Sequence, residues 1–272
     1  MKILTLNTHS LSEANGDTKR AWTAEFIVKM KPDVVALQEV NQSIAAEIVR
    51  TDHNYKGKAI IKKDNYAYAL TEEIKALGMK YEWVYIPVKV GYGKFDEGLA
   101  LLSLHPIASI ENILLSNTFD YTCWKKRNAL GIKIHMNQKP VWCYTVHMGW
   151  WKDEEEPFLT QWERLHTHIK TKDTKVYLAG DFNAPDTIHN ESYTKIIRDG
   201  YHDTYKLALN KYGHDSAKGK IDGWKDGSES GMRIDYIFCN QLVHVKNHEI
   251  VLDGTNDPIV SDHFGVLMEE ES

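Results

Sequence analysis

The stretch VYLAGDFNAP, residues 176–185, decides the fold. Its first half is a short apolar run of the length one buried strand needs, and it breaks at Gly180 into a turn carrying Asp181 and Asn183. A carboxylate and an amide at the end of an apolar strand are either turn formers or groups that a rigid sheet presents to a ligand.

Working outward, the same arrangement recurs. ILTL at 3–6 runs into Asn7, VVAL at 34–37 into Glu39, and VWCYTV at 141–146 into His147. IDYIF at 234–238 contains Asp235, while Asp262 and His263 precede FGVLM at 264–268. LALLSL at 99–104 and LGIKI at 130–134 are further strand candidates. Apolar residues at successive positions predict strands covered on both faces, whereas the alternation of Val84, Ile86, Val88 and Val90 predicts a half-exposed one. Amphipathic helices are expected through Trp22, Phe26 and Met30, and through Phe158, Leu159, Trp162, Leu165 and Ile169 with Pro157 at the opening turn. Many strands, a few helices and no strict βαβ alternation predict two packed sheets flanked by helices, with a doubly wound parallel sheet as second choice.

Composition narrows the class. A chain of 272 residues with 42% apolar and 26% charged residues, no repeat and no Pro/Gly/Ser-rich linker is read as one domain, 1–272. The net charge of −5 argues against a surface built to coat nucleic acid or an anionic membrane. Three widely spaced cysteines, Cys123, Cys143 and Cys239, form no CxxC and give neither a disulfide framework nor a thiolate zinc site. The longest uncharged stretch, Gly98 to Ile110, is shorter than the ~20 residues of a membrane span. The start MKILTLNTHS reaches Asn7 after only a few apolar residues and does not read as an export signal, so the expectation is a cytoplasmic protein in a reducing compartment.

Singly, each polar strand-end residue has a structural explanation. Together they are a set of oxygen and imidazole groups that must pair, hydrate or bind something, and hard oxygen donors with few sulfurs point to Mg2+, with Mn2+ possible in its place. The motifs LNTH at 6–9, LQEV at 37–40, VHMGWW at 146–151, AGDFNAP at 179–185, RIDYIF at 233–238 and SDHFGV at 261–266 resemble the endonuclease/exonuclease/phosphatase superfamily, related to deoxyribonuclease I. The resemblance runs in order from residue 4 to 267. It implies an α+β fold, a four-layer αββα sandwich of two packed mixed β-sheets flanked by helices, and metal-dependent hydrolysis of phosphate esters.

The resemblance also implies roles. Glu39 and Asp262 are the expected metal carboxylates, with Asn7 completing the shell directly or through water. Asp181 orients the attacking water, and the neutral amide of Asn183 donates to the phosphate. His263 donates to a phosphate oxygen with its ring fixed by Asp235. His147 matches the family's second histidine, Glu97 of DEGLALL matches its carboxylate partner, and Arg127 of KKRNAL matches the guanidinium that reaches the phosphate. Lys125 and Lys126 are read as solvated charges.

Substrate class rests on HMGWWKDEEEPF, residues 147–158. Trp150 and Trp151 have flat faces suited to sugar C–H surfaces, Trp124 and Trp224 are candidate walls, and core or lid packing is the competing explanation for the Trp pair. The acidic run Asp153–Glu156 would repel a polyanionic strand. This stretch and the N-terminal motif are similar to the bacterial branch that includes maltose 6'-phosphate phosphatase. The leading expectation is therefore a phosphatase acting on a small phosphorylated sugar, with no membrane partner. A DNA endonuclease or exonuclease is the second reading, disfavoured because no long Lys/Arg cluster is present. A non-catalytic binding module is the third. Self-association is not legible.

Overall fold

The computed structural model of the chain describes residues 1–219, 221, 224 and 231–271. One mixed sheet has the order β10 (Asn210–Tyr212), β12 (Val245–Val251), β13 (Gly265–Glu270), β1 (Lys2–Asn7), β2 (Val34–Ser43), β4 (Phe95–Ser103), β3 (Glu82–Gly91). The other has the order β5 (Ser109–Leu114), β6 (Asn128–Met136), β7 (Lys139–His147), β8 (Lys175–Asp181), β11 (Asp235–Cys239), β9 (His202–Asp203). Helices α1 (Gly16–Met30) and α2 (Tyr66–Ala76) cover the first sheet. Helices α3 (Phe158–Ile169) and α4 (Ser192–Arg198) cover the second, and α5 (Thr204–Leu207) is one short turn.

Because side chains alternate along a strand, an apolar residue at every position feeds two layers at once. Ile3 and Ala36 meet Ile132, Cys143 and Ile237 between the sheets. Their chain neighbours Leu4 and Leu37 pack against Phe26, Ile27 and Leu70 of the helices. Tyr144, Leu178 and Phe238 turn the other way, onto Trp162 and Leu165 of α3. Each such aliphatic burial contributes about 1.5–3 kcal/mol, and three layers share it. The result is the expected αββα sandwich.

Two expectations change. Strand β3 is covered on both faces: Val84 and Val88 enter the layer between the sheets, while Trp83 and Tyr85 enter the helical layer. Aromatic residues at the intervening positions, which the aliphatic alternation did not count, fill the second face. In α1 the buried stripe is Thr23, Ala24, Phe26 and Ile27, and Trp22 turns outward. No helix among the described residues is long and apolar enough to cross a membrane.

The topology brings distant residues to one rim. β1 and β2 are parallel, with Asn7 beside Gln38, and β7 and β8 are parallel, with His147 beside Asp181. Parallel neighbours end on the same side. β11 runs antiparallel to β8 and begins at Asp235, opposite Asp181. The two sheets are clamped just below this rim by the Gln38 Nε2 to Thr145 Oγ1 bond of 2.7 Å.

Candidate active site

Local backbone geometry aims the rim residues. A Cβ at Gly180 would lie 2.0 Å from the Val146 carbonyl oxygen, so only glycine lets β8 close on β7 immediately before Asp181. Glu39 has φ 49° and sits where the β2–β4 register shifts between Leu37 and Val40. Asn183 has φ 47°. Left-handed non-glycine residues cost about 1–3 kcal/mol each and concentrate where a side chain must point in one direction.

Hydrogen bonds then join the two sheets. The Asn7 amide donates to Glu39 Oε1 at 3.0 Å and, across the sandwich, to Asp181 Oδ2 at 3.1 Å. The Asn183 backbone N–H donates to Asp181 Oδ1 at 2.8 Å. Asn183 Nδ2 donates to the Met148 carbonyl at 2.9 Å, and its Oδ1 accepts from Trp224 Nε1 at 2.8 Å. His147 Nε2 and His263 Nε2 lie 3.7 and 3.8 Å from Asp181 Oδ2. His263 Nδ1 is 2.9 Å from Asp235 Oδ2, and that oxygen also accepts from Ser216 Oγ at 2.7 Å.

Electrostatics separates the two histidines. Burial pulls His263 down, but the Asp235 carboxylate at contact distance more than offsets it and lifts the ring to about 10, so it is a cation at neutral pH. Among the described residues His147 has no carboxylate that close, Glu39 Oε1 being 4.0 Å from its Nδ1. Burial, then Arg127 and Lys89, push it well below the ordinary histidine value, so it stays neutral. Burial, followed by Asp235, raises Asp181 to about 7. Glu39 is raised by burial and then by the charges of Glu97 and Asp262.

Crowded, buried carboxylates whose charge is only partly offset are what a bound cation resolves. Glu39, bonded by the Asn7 amide and close enough to Asp262 to feel its charge, offers oxygen of the kind a hard divalent ion takes, and such an ion keeps several waters and needs few protein ligands. Two other groupings of possible metal donors stand at the rim. Asp181, Asp235 and His263 are linked in part by the His263–Asp235 bond, with Asp235 Oδ1 buried and unbonded among the described residues, and Glu13, beside His9 and Asp262, is held by Lys19 and by His9 Nδ1 at 2.8 Å.

Several sequence expectations are refined. Among the described residues no hydrogen bond joins Glu97 to His147; Glu97 Oε1 pairs with Lys89 Nζ at 3.0 Å, because β3–β4 register sets Lys89 opposite Glu97. Arg127 is buried against the Trp150 ring, 5.9 Å from its centroid, and among the described residues its guanidinium donates to the Trp124 and Lys126 carbonyls. Trp124 is exposed and tilts against Trp150. Trp151 both packs on Phe158 and lines a cavity with Trp150. The acidic run is not a free rim: Lys125 holds Asp153 at 2.9 Å and Glu155 at 2.8 Å, and buried Glu156 accepts from the Asn117 and Thr118 N–H groups at 2.7 Å. Lys125 is correspondingly paired and not merely solvated. The residues missed were Lys89, which reads as an outward position between Val88 and Val90, and Ser216, which lies in a polar loop with no motif.

A sandwich whose rim gathers carboxylates, amides and a carboxylate-held imidazolium is suited to the hydrolysis of phosphate esters. The chain belongs to the endonuclease/exonuclease/phosphatase family, whose model matches residues 4–263. It is similar to an endonuclease/exonuclease/phosphatase family protein from Leptotrichia buccalis C-1013-b, at 29% identity over 100% of both chains with a TM-score of 0.90. At fold level it is also similar to the mannosyl-6-phosphatase of Bacteroides thetaiotaomicron VPI-5482, at 18% identity over 100% of both chains and TM-score 0.68. D. rerio TDP2, solved with a single-strand DNA product, superposes at 18% identity over 100% of this chain and 99% of that one, with TM-score 0.67. No curated protein sequence is a significant match.

Proposed function

We propose that this protein is a Mg2+-dependent phosphomonoesterase that releases inorganic phosphate from a small phosphorylated sugar. The observation that carries the reading is a cavity of about 210 Å3 beside Asn183, lined by Trp150, Trp151, Trp224, Pro185 and Ile188, with Lys152 and Glu191 among its polar lining groups. It is smaller than the roughly 300 Å3 at which drug-sized pockets begin, so it suits one sugar ring better than a polymer. Aromatic faces pack on sugar C–H surfaces, and Lys152 and Glu191 offer polar partners for hydroxyls.

Glu39, Asp262 and Asn7 would hold a divalent cation, which would supply positive charge beside the phosphate and the departing oxygen. The chain supplies the rest. Imidazolium His263 and the Arg127 guanidinium hold phosphate oxygens, and neutral Asn183 donates without repelling them. Asp181 orients a water and takes its proton as the water oxygen bonds to phosphorus. The phosphorus–oxygen bond to the sugar breaks, and the departing sugar oxygen takes a proton from solvent water.

The test is phosphate release across phosphorylated mono- and disaccharides, including disaccharide 6'-phosphates, beside a plasmid-nicking assay. Release is expected with Mg2+ and lost in chelator and in Asp181→Asn. Nicking without phosphate release would replace this reading by the nuclease one, while an inert wild-type protein would favour a binding module.

A further inference from the structure

Lys89 is a buried lysine with an incomplete set of partners. It sits on β3 opposite Glu97, where the register against β4 shifts between Pro87 and Lys89, and a Cβ at Gly98, opposite Pro87, would lie 1.9 Å from the Ile86 carbonyl oxygen. The residue is only 7% exposed. Its ammonium meets Glu97 Oε1 at 3.0 Å and donates to the Trp124 carbonyl at 2.8 Å. An ammonium has three donors, and these contacts occupy two.

The same Trp124 carbonyl accepts from Arg127 at 3.1 Å. Two cations therefore share one oxygen, and Glu97 is the carboxylate that directly pairs with either of them among the described residues. Arg127 Nε is buried with no hydrogen-bond partner. Lys89, Arg127, Glu97 and His147 line one small cleft at the rim. Two like charges held together, with donor capacity in hand and a neutral histidine beside them, are organised for an anion that carries more than one charge.

We propose that Lys89 is a specificity-determining residue which, together with Arg127, selects the dianionic terminal phosphate of a monoester over the monoanionic phosphate of a diester. This rests on the phosphomonoesterase reading above. A monoester offers three terminal oxygens and about two negative charges at neutral pH, while a diester offers two oxygens and one charge. His263, Arg127 and Asn183 are the donors already assigned to the phosphate. Lys89 adds the cationic donor for the oxygen that is esterified in a diester.

The experiment compares wild type, Lys89→Met, Lys89→Arg and the charge-neutral double variant Lys89→Met/Glu97→Gln with Mg2+ on p-nitrophenyl phosphate and bis-p-nitrophenyl phosphate. It also measures competitive inhibition by inorganic phosphate, and thermal unfolding of every variant. The double variant removes the stranded carboxylate should Lys89→Met unfold. Expected are a rise of about tenfold in KM for the monoester and in the phosphate inhibition constant, the loss of one charge-assisted hydrogen bond, with a smaller change for the diester and partial rescue by arginine. Equal losses on both esters, or unchanged phosphate inhibition in a folded variant, would overturn the proposal. Wild-type turnover of p-nitrophenyl phosphate but of no sugar phosphate would remove the sugar reading and leave this one standing.

Discussion

Arg127 and Arg233 are both almost fully buried, and they do opposite things. Arg233 is saturated: it donates to both carboxylate oxygens of Asp203, at 3.2 and 2.7 Å, and to Asp186 through Nε and one terminal nitrogen, at 3.2 and 2.9 Å. Its guanidinium lies 4.7 Å from the ring centroids of Tyr205 and Tyr236. Burial alone would lower it, but the Asp203 contacts win and raise it above the ordinary arginine value. Arg127 meets two carbonyls and no carboxylate, and burial leaves it below that value. A buried cation with its anions in place is architecture; one without them among the described residues has charge to spare for an anion of the kind proposed above.

The contrast can be broken by substitution. Arg233→Met strands Asp203 and Asp186 and is expected to lower unfolding free energy by about 3–5 kcal/mol, read by urea denaturation. A loss under ~1 kcal/mol would show that the pair is not structural. Arg127→Met is expected to lower kcat/KM by about 10²–10³-fold while the unfolding midpoint holds or rises, because an unpaired buried charge is removed. A drop in stability comparable to that of Arg233→Met would erase the distinction between the two sites.

A smaller effect sharpens the Arg233 side. His248 is buried beside Tyr205, both ring nitrogens lack partners, and burial pulls it to about 3, with Arg233, Lys211 and His214 adding to the depression against Asp203. Since the unfolded ring takes a proton near 6.5 and the folded one does not until about 3, stability is full above 6.5 and falls as the pH drops below it. The slope from this residue is at most about 1.4 kcal/mol per pH unit. In urea titrations from pH 7.5 down to pH 5, His248→Phe should be less acid-sensitive than wild type; parallel curves would assign the acid loss to other groups.

Much of this was legible beforehand. Apolar runs at 3–6, 34–37, 130–134, 141–146 and 176–180 are strands β1, β2, β6, β7 and β8, because a strand covered on both faces must be apolar at every position. β5 was not anticipated: SIENIL has adjacent polar residues in its middle and no fully buried position, as expected at a sheet edge. Helix α2 was missed as well, since Tyr66, Ala67, Leu70 and Ile74 lie on one face of a segment with no marked apolar cluster.

The sequence by itself determined that apolar strands would stack in layers and that acids, amides and histidines would stand at their ends, since side-chain period and solvent transfer act locally. Which of those groups touch, that Glu97 holds Lys89 and not His147, that the acidic run is tied down, and that Arg127 is left unpaired while Arg233 is saturated were decided only in three dimensions. Strand register, parallel pairing and the bulges at Glu39 and Lys89 set those distances, and a linear pattern specifies the face of a strand without specifying its neighbour.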